Sequence, residues 1–401
     1  MGVEEGAQYS SKHALCAANV STACEPFPGN SSEEPEVFLL TRNMMSVFSV
    51  PVYGFMSPPI ILFTVVTNSL VCLVLLKRHM RSASNTILVG MALSDTLTGV
   101  SPLPCYIYFF ALGAYREYVP YGWCFAFHCL TNYVPTIFHT ASIWLTVGLA
   151  AHRYVCVCHS LVAKKWCTNA NVVKGIVVLY VAAFLSQVTR FVESKYTLVE
   201  VPSNLGTGSN VTGCIPEMVG FVNNNLNVYY NVYYWCRVIF IHLVPCTMLI
   251  VLNALLIQTM RTAQARRQQL LKQNRKSECR RLAESNLTTM MLVAVVGLFL
   301  LVELPMALLF IIMIVDNTFE LKVIDQKSNV DAPLWINLFI LLSYPVNFFI
   351  YCGMSRQFRA TFKRLFVGGE LPVAANDQTH YVTIADANGS TVMSNKATSR
   401  L

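Results

Sequence analysis

The stretch Leu298–Phe310, LFLLVELPMALLF, decides how this chain folds. Glu303 is the only charged residue between Glu284 and Asp316, and Pro305 stands two positions after it. A helix needs about 20 mostly apolar residues to cross the roughly 30 Å hydrocarbon core of a bilayer, and this run is long enough. The stretch therefore predicts a membrane-spanning helix that is bent at Pro305 and carries a carboxylate beside the bend.

The same pattern recurs along the 401 residues. The chain is 54% hydrophobic and 12% charged, whereas a soluble domain carries about a quarter charged residues. Apolar runs with at most one internal charge lie at 43–76, 82–115, 118–151, 175–189, 218–260, 285–315 and 332–355. The fourth run is short, so it must take in Val172 and Val173 and let Lys174 reach the lipid headgroups.

Helices are the structure that these runs favour. Strands of a membrane barrel would alternate polar and apolar residues, and a soluble bundle would need seven helices that are apolar on all sides. We therefore predict an all-α membrane protein, a seven-transmembrane helix bundle. Residues 46–367 form this bundle and a short amphipathic membrane-surface helix, in which Phe358, Phe362 and Phe366 recur at intervals of four.

Residues 1–45 are predicted to be an N-terminal tail, and the polar residues 368–401 a disordered C-terminal tail. No cleavable signal peptide is predicted, because the first forty residues lack an apolar core segment. The connections after the first, third and fifth runs have net charges of +3, +4 and +6, whereas the N-terminal tail has −4. Positive loops stay in the cytoplasm, so the N-terminus is predicted to be extracellular, with Asn19, Asn30 and Asn210 as candidate glycosylation sites.

Four of the 14 cysteines fall on the outer side, namely Cys16, Cys24, Cys124 and Cys214. An even number in an oxidising compartment suggests two disulfides, for which three pairings are available. The preferred pairing joins Cys124 to Cys214 and Cys16 to Cys24. The run Cys156–His159, CVCH, has the spacing of no zinc motif, so no metal site is predicted.

Polar or kinking residues recur in the apolar runs, although lipid makes polar groups costly. Taken alone, Arg153 could be an arginine that reaches for the headgroups. The ordered set is Asn68 in the first run, Asp95 in the second, Arg153 after the third, Pro245 in the fifth, Pro305 in the sixth, and Asn347 and Tyr351 in the seventh. This set, over residues 45–367, resembles the rhodopsin-like G-protein-coupled receptors.

The resemblance implies a role for each of these positions. Asn68, Asp95, Ser142 and Asn347 would line a sodium and water network, and a sodium ion near Asp95 is the only cofactor that it implies.

At the inner side, Arg153 would hold the cytoplasmic face closed and then meet the G protein. His152 and Tyr154 flank this arginine in the DRY-like motif. Tyr351 matches the tyrosine of NPxxY, and Pro245 in the fifth run would belong to the same switch.

Several positions depart from the family pattern. The tryptophan of CWxP is Glu303 here, and Cys124 lies 29 residues before Arg153, about one helical turn further than usual. Cys129 lies closer to the usual place, so a bridge from Cys129 is the alternative. With the stretches FHTASIWLT, RYVCVCH, NRKSECRRL, ELPMAL and YPVNFFIYCGMSRQF, the chain resembles the receptors for insect sex peptide and myoinhibitory peptides.

That resemblance implies a plasma-membrane receptor for a short amidated neuropeptide, acting through heterotrimeric G proteins of the inhibitory class. An FMRFamide-like or myosuppressin-like ligand is the alternative. A transporter or proton carrier with a relay from Asp95 to Glu303 is the alternative of another class, but it would need an internal repeat. The C-terminal TSRL, with Ser399 and Leu401, is a candidate PDZ ligand.

An enzyme is the poorest interpretation. The run GTGSNVTG at 206–213 superficially resembles a phosphate-binding loop, but it is expected to follow no strand and to open no helix. No enzymatic activity and no nucleic-acid partner are predicted.

The ligand pocket should open outward between spans two, three, five, six and seven. For any one tyrosine, anchoring at the headgroup level is the alternative explanation. Arg237 is a lone charge on which an aromatic ligand side chain could stack. The candidate lining residues are Tyr106, Asn132, His139, Arg190, Glu193, Tyr234, Arg237 and Trp335.

Glu303 needs a partner in the bundle or must be protonated. Arg237 and His242 in the fifth run and His139 in the third are candidates. Glu303 either belongs to a switch whose partner changes on activation, or is a neutral acid bonded to a backbone carbonyl. Residues 246–296 contain neither Gly nor Pro, so the fifth and sixth helices are expected to continue beyond the membrane.

Overall fold

A computed structural model describes residues 36–43, 45–272, 276–319, 326–366, 368, 382–385 and 391–394. Among them are seven helices long and apolar enough to cross a membrane, hereafter spans 1 to 7. This confirms the predicted fold class, and the short fourth run becomes a full helix of 24 residues. The spans are Val50–Leu75, Ala83–Ala111, Tyr121–Cys158, Asn169–Val192, Val228–Ala265, Val293–Ile312 and Val330–Met354.

Most spans are built from more than one helical segment. Ser82 and Thr168 cap the first turns of spans 2 and 4. Their hydroxyls accept hydrogen bonds from the backbone N–H groups of Asn85 and Asn171, which have no partner within the helix. The α-helices are Leu40–Asn43, Ser57–Leu75, Ala83–Val100, Leu103–Cys105, Tyr121–His128, Val134–Cys158, Ser160–Trp166, Asn169–Leu185, Val188–Val192, Gly220–Asn223, Leu226–Arg237, Val244–Lys272, Lys276–Phe319, Gln326–Ser343, Val346–Met354 and Arg356–Phe366.

Four wider π-helical turns interrupt the spans, and proline accounts for three of them. Proline has no N–H and its ring crowds the carbonyl four residues before it, so the preceding turn opens. Pro58, Pro135 and Pro245 each place that carbonyl inside a π-helical turn. The four turns are Val50–Met56, Tyr106–Ala111, Cys129–Tyr133 and Val238–Leu243, and short 3₁₀ turns occur at Arg78–Met80 and Ala114–Arg116.

The connection between spans 4 and 5 is an antiparallel hairpin of β1 (Ser194–Pro202) and β2 (Asn210–Met218). Gly206 and Gly208 lie at the turn with φ values of +69° and +71°, which side chains disfavour. The prediction that GTGSNVTG follows no strand is therefore wrong, but the run leads into a second strand and not into a helix.

The N-terminal segment packs against this hairpin. The backbone N–H of Phe38 donates to the carbonyl of Cys214 (2.9 Å), and the N–H of Val119 donates to the carbonyl of Phe38 (3.0 Å). The Phe38 ring stacks on His128 with centroids 5.2 Å apart. Residues just before span 1 thus cover the outer ends of spans 2 and 3.

On the side where spans 5 and 6 are connected, Val244–Lys272 and Lys276–Phe319 continue well past these spans. This confirms the helical extensions predicted from the lack of Gly and Pro. A short loop helix, Ser160–Trp166, connects spans 3 and 4.

The chain divides into two units, residues 1–358 and 359–401. In the first unit, the buried ring of Phe358 packs against Tyr351, with centroids 5.9 Å apart. In the second, Val382–Ala385 (β3) pairs with Thr391–Ser394 (β4). Strand pairing at these eight residues was not predicted, and disorder of the remaining tail stays a prediction.

Candidate functional site

A cavity, hereafter the outer cavity because it lies toward the side predicted to be extracellular, is located between spans 2, 3, 5, 6 and 7, as expected for a ligand pocket. Its empty volume is about 780 Å³, which includes space open to solvent. Three of the eight predicted pocket residues line it: Tyr106, His139 and Arg237. The other lining residues are Thr98, Pro102, Thr131, Pro135, Thr136, His242, Met306, Phe310, Pro333, Asn337, Ile340, Leu341 and Tyr344.

Arg190 and Glu193 form a buried ion pair away from this lining. The Arg190 Nη1 lies 2.6 Å from Glu193 Oε1 and donates to Oε2 at 2.8 Å. The Tyr229 hydroxyl donates to the same carboxylate at 2.9 Å. The guanidinium also lies over the rings of Tyr133 and Tyr233, at 5.5 and 5.2 Å from their centroids. These contacts make the pair an internal tie between the end of span 4 and span 5.

The remaining predicted pocket residues also lie outside the lining. Tyr234 is buried and its ring stacks on Tyr230. Asn132 is buried with its Nδ2 3.5 Å from His128 Nδ1. Trp335 is half-buried, and its ring packs against Phe48 with centroids 5.4 Å apart.

Arg237 points its guanidinium over the ring of Phe310, 5.3 Å from the centroid. Both residues line the outer cavity. An arginine in this arrangement is stabilised by the ring quadrupole instead of by a carboxylate. Among the described ion pairs, those of Glu303 involve two histidines and not Arg237.

Glu303 contacts His139 and His242. The Nε2 of His139 lies 3.1 Å from Oε1, and the Nδ1 of His242 lies 3.5 Å from Oε2, which is long for a hydrogen bond. Glu303 and His242 are almost fully buried. A buried carboxylate is costly without a partner, so the two imidazoles account for its presence in the bundle.

An inner cavity lies below, with an empty volume of about 430 Å³ that includes space open to solvent, and is lined by Asp95, Ser142, Glu303 and Asn347 among others. The Ser142 hydroxyl donates to Asp95 Oδ1 at 2.6 Å. His139 and Tyr344, whose side chains are 3.2 Å apart, line both cavities. Ile340 also lines both cavities, so these three residues form the partition between them.

The remaining predicted switch residues lie along the bundle. Asn68 is buried, and its Nδ2 has no hydrogen-bond partner among the described residues. Tyr351 is buried, Pro245 follows a π-helical turn, and Pro305 lies inside the helix of span 6.

At the C-terminal end of span 3, the Arg153 Nε is buried and unpaired within the described part of the chain. His152 Nδ1 lies 3.1 Å from the Ser84 hydroxyl. The ring of Tyr154 packs edge-on against His159, with centroids 5.6 Å apart.

The outer disulfide joins Cys124 to Cys214, and Cys129 is a free, half-buried thiol. Asn210 is exposed at the start of β2. The predictions for Asn19, Asn30, Cys16, Cys24, Ser399 and Leu401 lie outside the described residues.

Sequence reasoning missed Tyr344 and Phe310, which contact His139 and Arg237. Both are aromatic residues in apolar runs, where nothing in the sequence separates a pocket wall from the packed core. Their positions depend on how the spans pack together.

The fold is that of a seven-helix membrane protein with two cavities between its helices. A family model described as serpentine-type 7TM GPCR chemoreceptor Srw matches residues 56–369. The chain belongs to the seven-transmembrane G-protein-coupled receptors, and it is a multi-pass membrane protein.

Three individual relatives show which receptors of this family the chain is similar to. The sex peptide receptor of Drosophila melanogaster is 39% identical over 87% of this chain and 80% of that receptor. Sex peptide receptor-related protein 2 of Caenorhabditis elegans is 35% identical over 83% of this chain and 75% of its own length. The FMRFamide receptor of Drosophila melanogaster is 26% identical over 84% of this chain and 57% of its own length.

Proposed function

We propose that this chain is a plasma-membrane receptor for a short amidated neuropeptide and that it lowers cAMP through inhibitory G proteins. Its likeness to the sex peptide receptor and to the FMRFamide receptor supports a neuropeptide ligand. The single observation that carries the proposal is the outer cavity, which is lined by polar, aromatic and cationic side chains from five spans.

The cavity offers polar groups suited to an amide terminus. A C-terminal amide is uncharged, donates through its NH₂ and accepts through its carbonyl. Asn337 and Thr136 on the cavity wall can supply both halves of such a contact. Arg237 over Phe310 offers a flat cationic face on which a ligand aromatic ring would stack.

Signal transfer is proposed to run through His139. This residue lines the outer cavity and also contacts Glu303 and Tyr344. A ligand that displaces the His139 ring would change the partner of Glu303, which stands next to the bend at Pro305. Because proline removes a helix hydrogen bond, span 6 can pivot there.

A sodium ion near Asp95 is proposed to favour the inactive state. The inner cavity offers the Asp95 carboxylate, the Ser142 hydroxyl and the Asn347 amide, whose Oδ1 is buried without a hydrogen-bond partner among the described residues. Hard oxygen donors of this kind suit an alkali cation. Peptide affinity should fall as NaCl replaces a bulkier organic cation, and Asp95→Asn should remove this dependence.

The main test is a screen in cells that express the chain. Myoinhibitory-type, FMRFamide-like and myosuppressin-like peptides are applied as amides and as matched free acids, and cAMP is measured with and without pertussis toxin. We expect an amide to lower cAMP in a toxin-sensitive manner while its free acid does not. Arg153→Ala is the matched variant, which should bind peptide without signalling.

A solute or ion flux without any peptide response would overturn the proposal in favour of a transporter. The proposed orientation has its own test. An epitope at residue 10 should be reached by antibody on intact cells, and access only after permeabilisation would contradict an extracellular N-terminus.

A further inference from the structure

Two metal-ligand side chains stand one helical turn apart at the cytoplasmic end of span 3. His152 and Cys156 are separated by four residues, so they share one face of the helix. The Sγ of Cys156 lies 3.9 Å from both ring nitrogens of His152. Both side chains are half-buried at the cytoplasmic end.

The loop helix brings a third ligand to the same place. Cys167 follows directly after Ser160–Trp166, and that short helix returns the chain to the end of span 3. One ligand atom from each of His152, Cys156 and Cys167 lies within 4.8 Å of the others. The sequence did not indicate this cluster, because Cys158 and His159 are close to Cys156 along the chain, whereas His152 and Cys167 are the ligands close to it in the fold.

These separations are close to those of a bound zinc ion. Tetrahedral coordination with Zn–S of about 2.3 Å and Zn–N of about 2.0 Å places ligand atoms roughly 3.5 to 3.8 Å apart. Cys156 and His152 nearly meet this requirement already, and small side-chain rotations would bring Cys167 into range.

A neighbouring hydroxyl orients the imidazole. The Ser84 Oγ lies 3.1 Å from His152 Nδ1, and Ser84 is buried in the first turn of span 2. When Nδ1–H donates to this oxygen, Nε2 is the nitrogen that carries the lone pair a metal needs. Outer contacts of this type fix the tautomer of metal-binding histidines.

We propose that His152 Nε2 and the sulfurs of Cys156 and Cys167 bind a thiophilic divalent ion of the zinc type, with water in the fourth position. Binding deprotonates two thiols, so one Zn²⁺ enters and two protons leave, and the site becomes neutral. The ion would join span 3 to the start of span 4 beside Arg153.

The test uses the full-length purified receptor, handled without oxygen and titrated with Co²⁺ as a spectroscopic probe. We expect one equivalent of Co²⁺ to give thiolate charge-transfer and tetrahedral d–d absorption, both of which Zn²⁺ removes. Cys156→Ser and Cys167→Ser should each abolish this absorption. Cys167→His should still bind one ion, with about half the charge-transfer intensity because one thiolate remains.

Cys158→Ser is the matched control. Cys158 lies two residues from Cys156, but its sulfur faces the Thr259 hydroxyl at 3.5 Å. This variant should keep the full spectrum, and Zn²⁺ should raise its unfolding temperature as it does for the unaltered receptor. Absence of thiolate absorption in the unaltered receptor, or equal loss in Cys158→Ser, would overturn the proposal.

Discussion

The imidazole Nε2 of His139 on span 3 lies 3.1 Å from the Glu303 carboxylate on span 6. The other ring nitrogen of His139 lies 3.2 Å from the Tyr344 hydroxyl on span 7. One side chain therefore ties three spans together at the level where the outer and inner cavities meet. The contact with His139 gives the buried carboxylate of Glu303, two residues before Pro305, the partner that it needs.

Replacing Glu303 by Gln should weaken the tie between spans 3 and 6. We expect at least a tenfold change in peptide potency, because about 1.4 kcal/mol of lost pairing corresponds to that factor. The measurement is peptide-stimulated G-protein activation at matched surface expression. Leu304→Ala, at an exposed neighbour, is the control. Unchanged potency in Glu303→Gln would instead favour a neutral acid with no switching role.

Breaking the Arg190–Glu193 pair should destabilise the outer half of the bundle. Arg190→Met leaves a buried carboxylate without its partner, which costs about 3–5 kcal/mol. The double variant Arg190→Met, Glu193→Met should recover most of this loss, since no charge stays buried. Thermal unfolding of the purified receptor measures the stability of the single and the double variant. A double variant as unstable as the single one would show that the charge pair is not the cause.

Removal of the outer disulfide should also be costly. Cys124→Ser should lower the free energy of unfolding by about 2–5 kcal/mol and reduce surface expression. Cys129→Ser should leave both unchanged, because Cys129 is a free thiol in the structure. The reverse pattern would assign the bridge to Cys129.

Gly54 is a site where a methyl group has no room. A Cβ there would lie 3.0 Å from the backbone carbon of Phe110 and 3.1 Å from the backbone nitrogen of Ala111. Because backbone atoms cannot rotate away, Gly54→Ala should cost about 1–3 kcal/mol. Gly122→Ala, where a Cβ meets nothing within 4 Å, is the control. Equal unfolding temperatures for the two variants would contradict this contact.

Glu117 should make the outer hairpin sensitive to acid. Burial opposes its charge, but hydrogen bonds from the Ser203 hydroxyl and the backbone N–H groups of Asn204 and Tyr118 lower the pKa of Glu117. The pKa of Glu117 is therefore lower in the folded protein than in the unfolded chain, where it is about 4.5, so the ionised carboxylate stabilises the fold above that pH. This stabilisation is lost as the pH falls through the pKa of the folded state.

Hydrogen exchange checks this effect. At neutral pH, Glu117→Gln should speed exchange of the Asn204 amide, whereas Glu200→Gln, at an exposed position on β1, should not. On acidification, the difference between Glu117→Gln and the unaltered receptor should shrink. A difference that persists at low pH would mean that the carboxylate charge plays no part.

Local sequence determined the spans but not the packing between them. Composition, run length and the lack of polar–apolar alternation were enough to predict seven helices, since lipid permits only helices and closed barrels. The cost of burying a carboxylate predicted a partner for Glu303 among Arg237, His242 and His139, and the two histidines are the ones that contact it. Five predicted pocket residues, Arg190 and Glu193 among them, do not line the cavity. A buried ion pair and a ligand-binding pair look alike in one sequence, because only three-dimensional packing separates them.

The π-helical turns have a consequence for comparing this receptor with others. Each such turn inserts one extra residue, and one residue rotates an α-helix by about 100°. A helical wheel drawn through Cys129–Tyr133 or Val238–Leu243 therefore assigns the wrong faces on one side of the turn. When residue positions are transferred from a relative whose helices lack these turns, every position on the outer side of a turn is shifted by one residue. The shifted positions include the residues around the ligand.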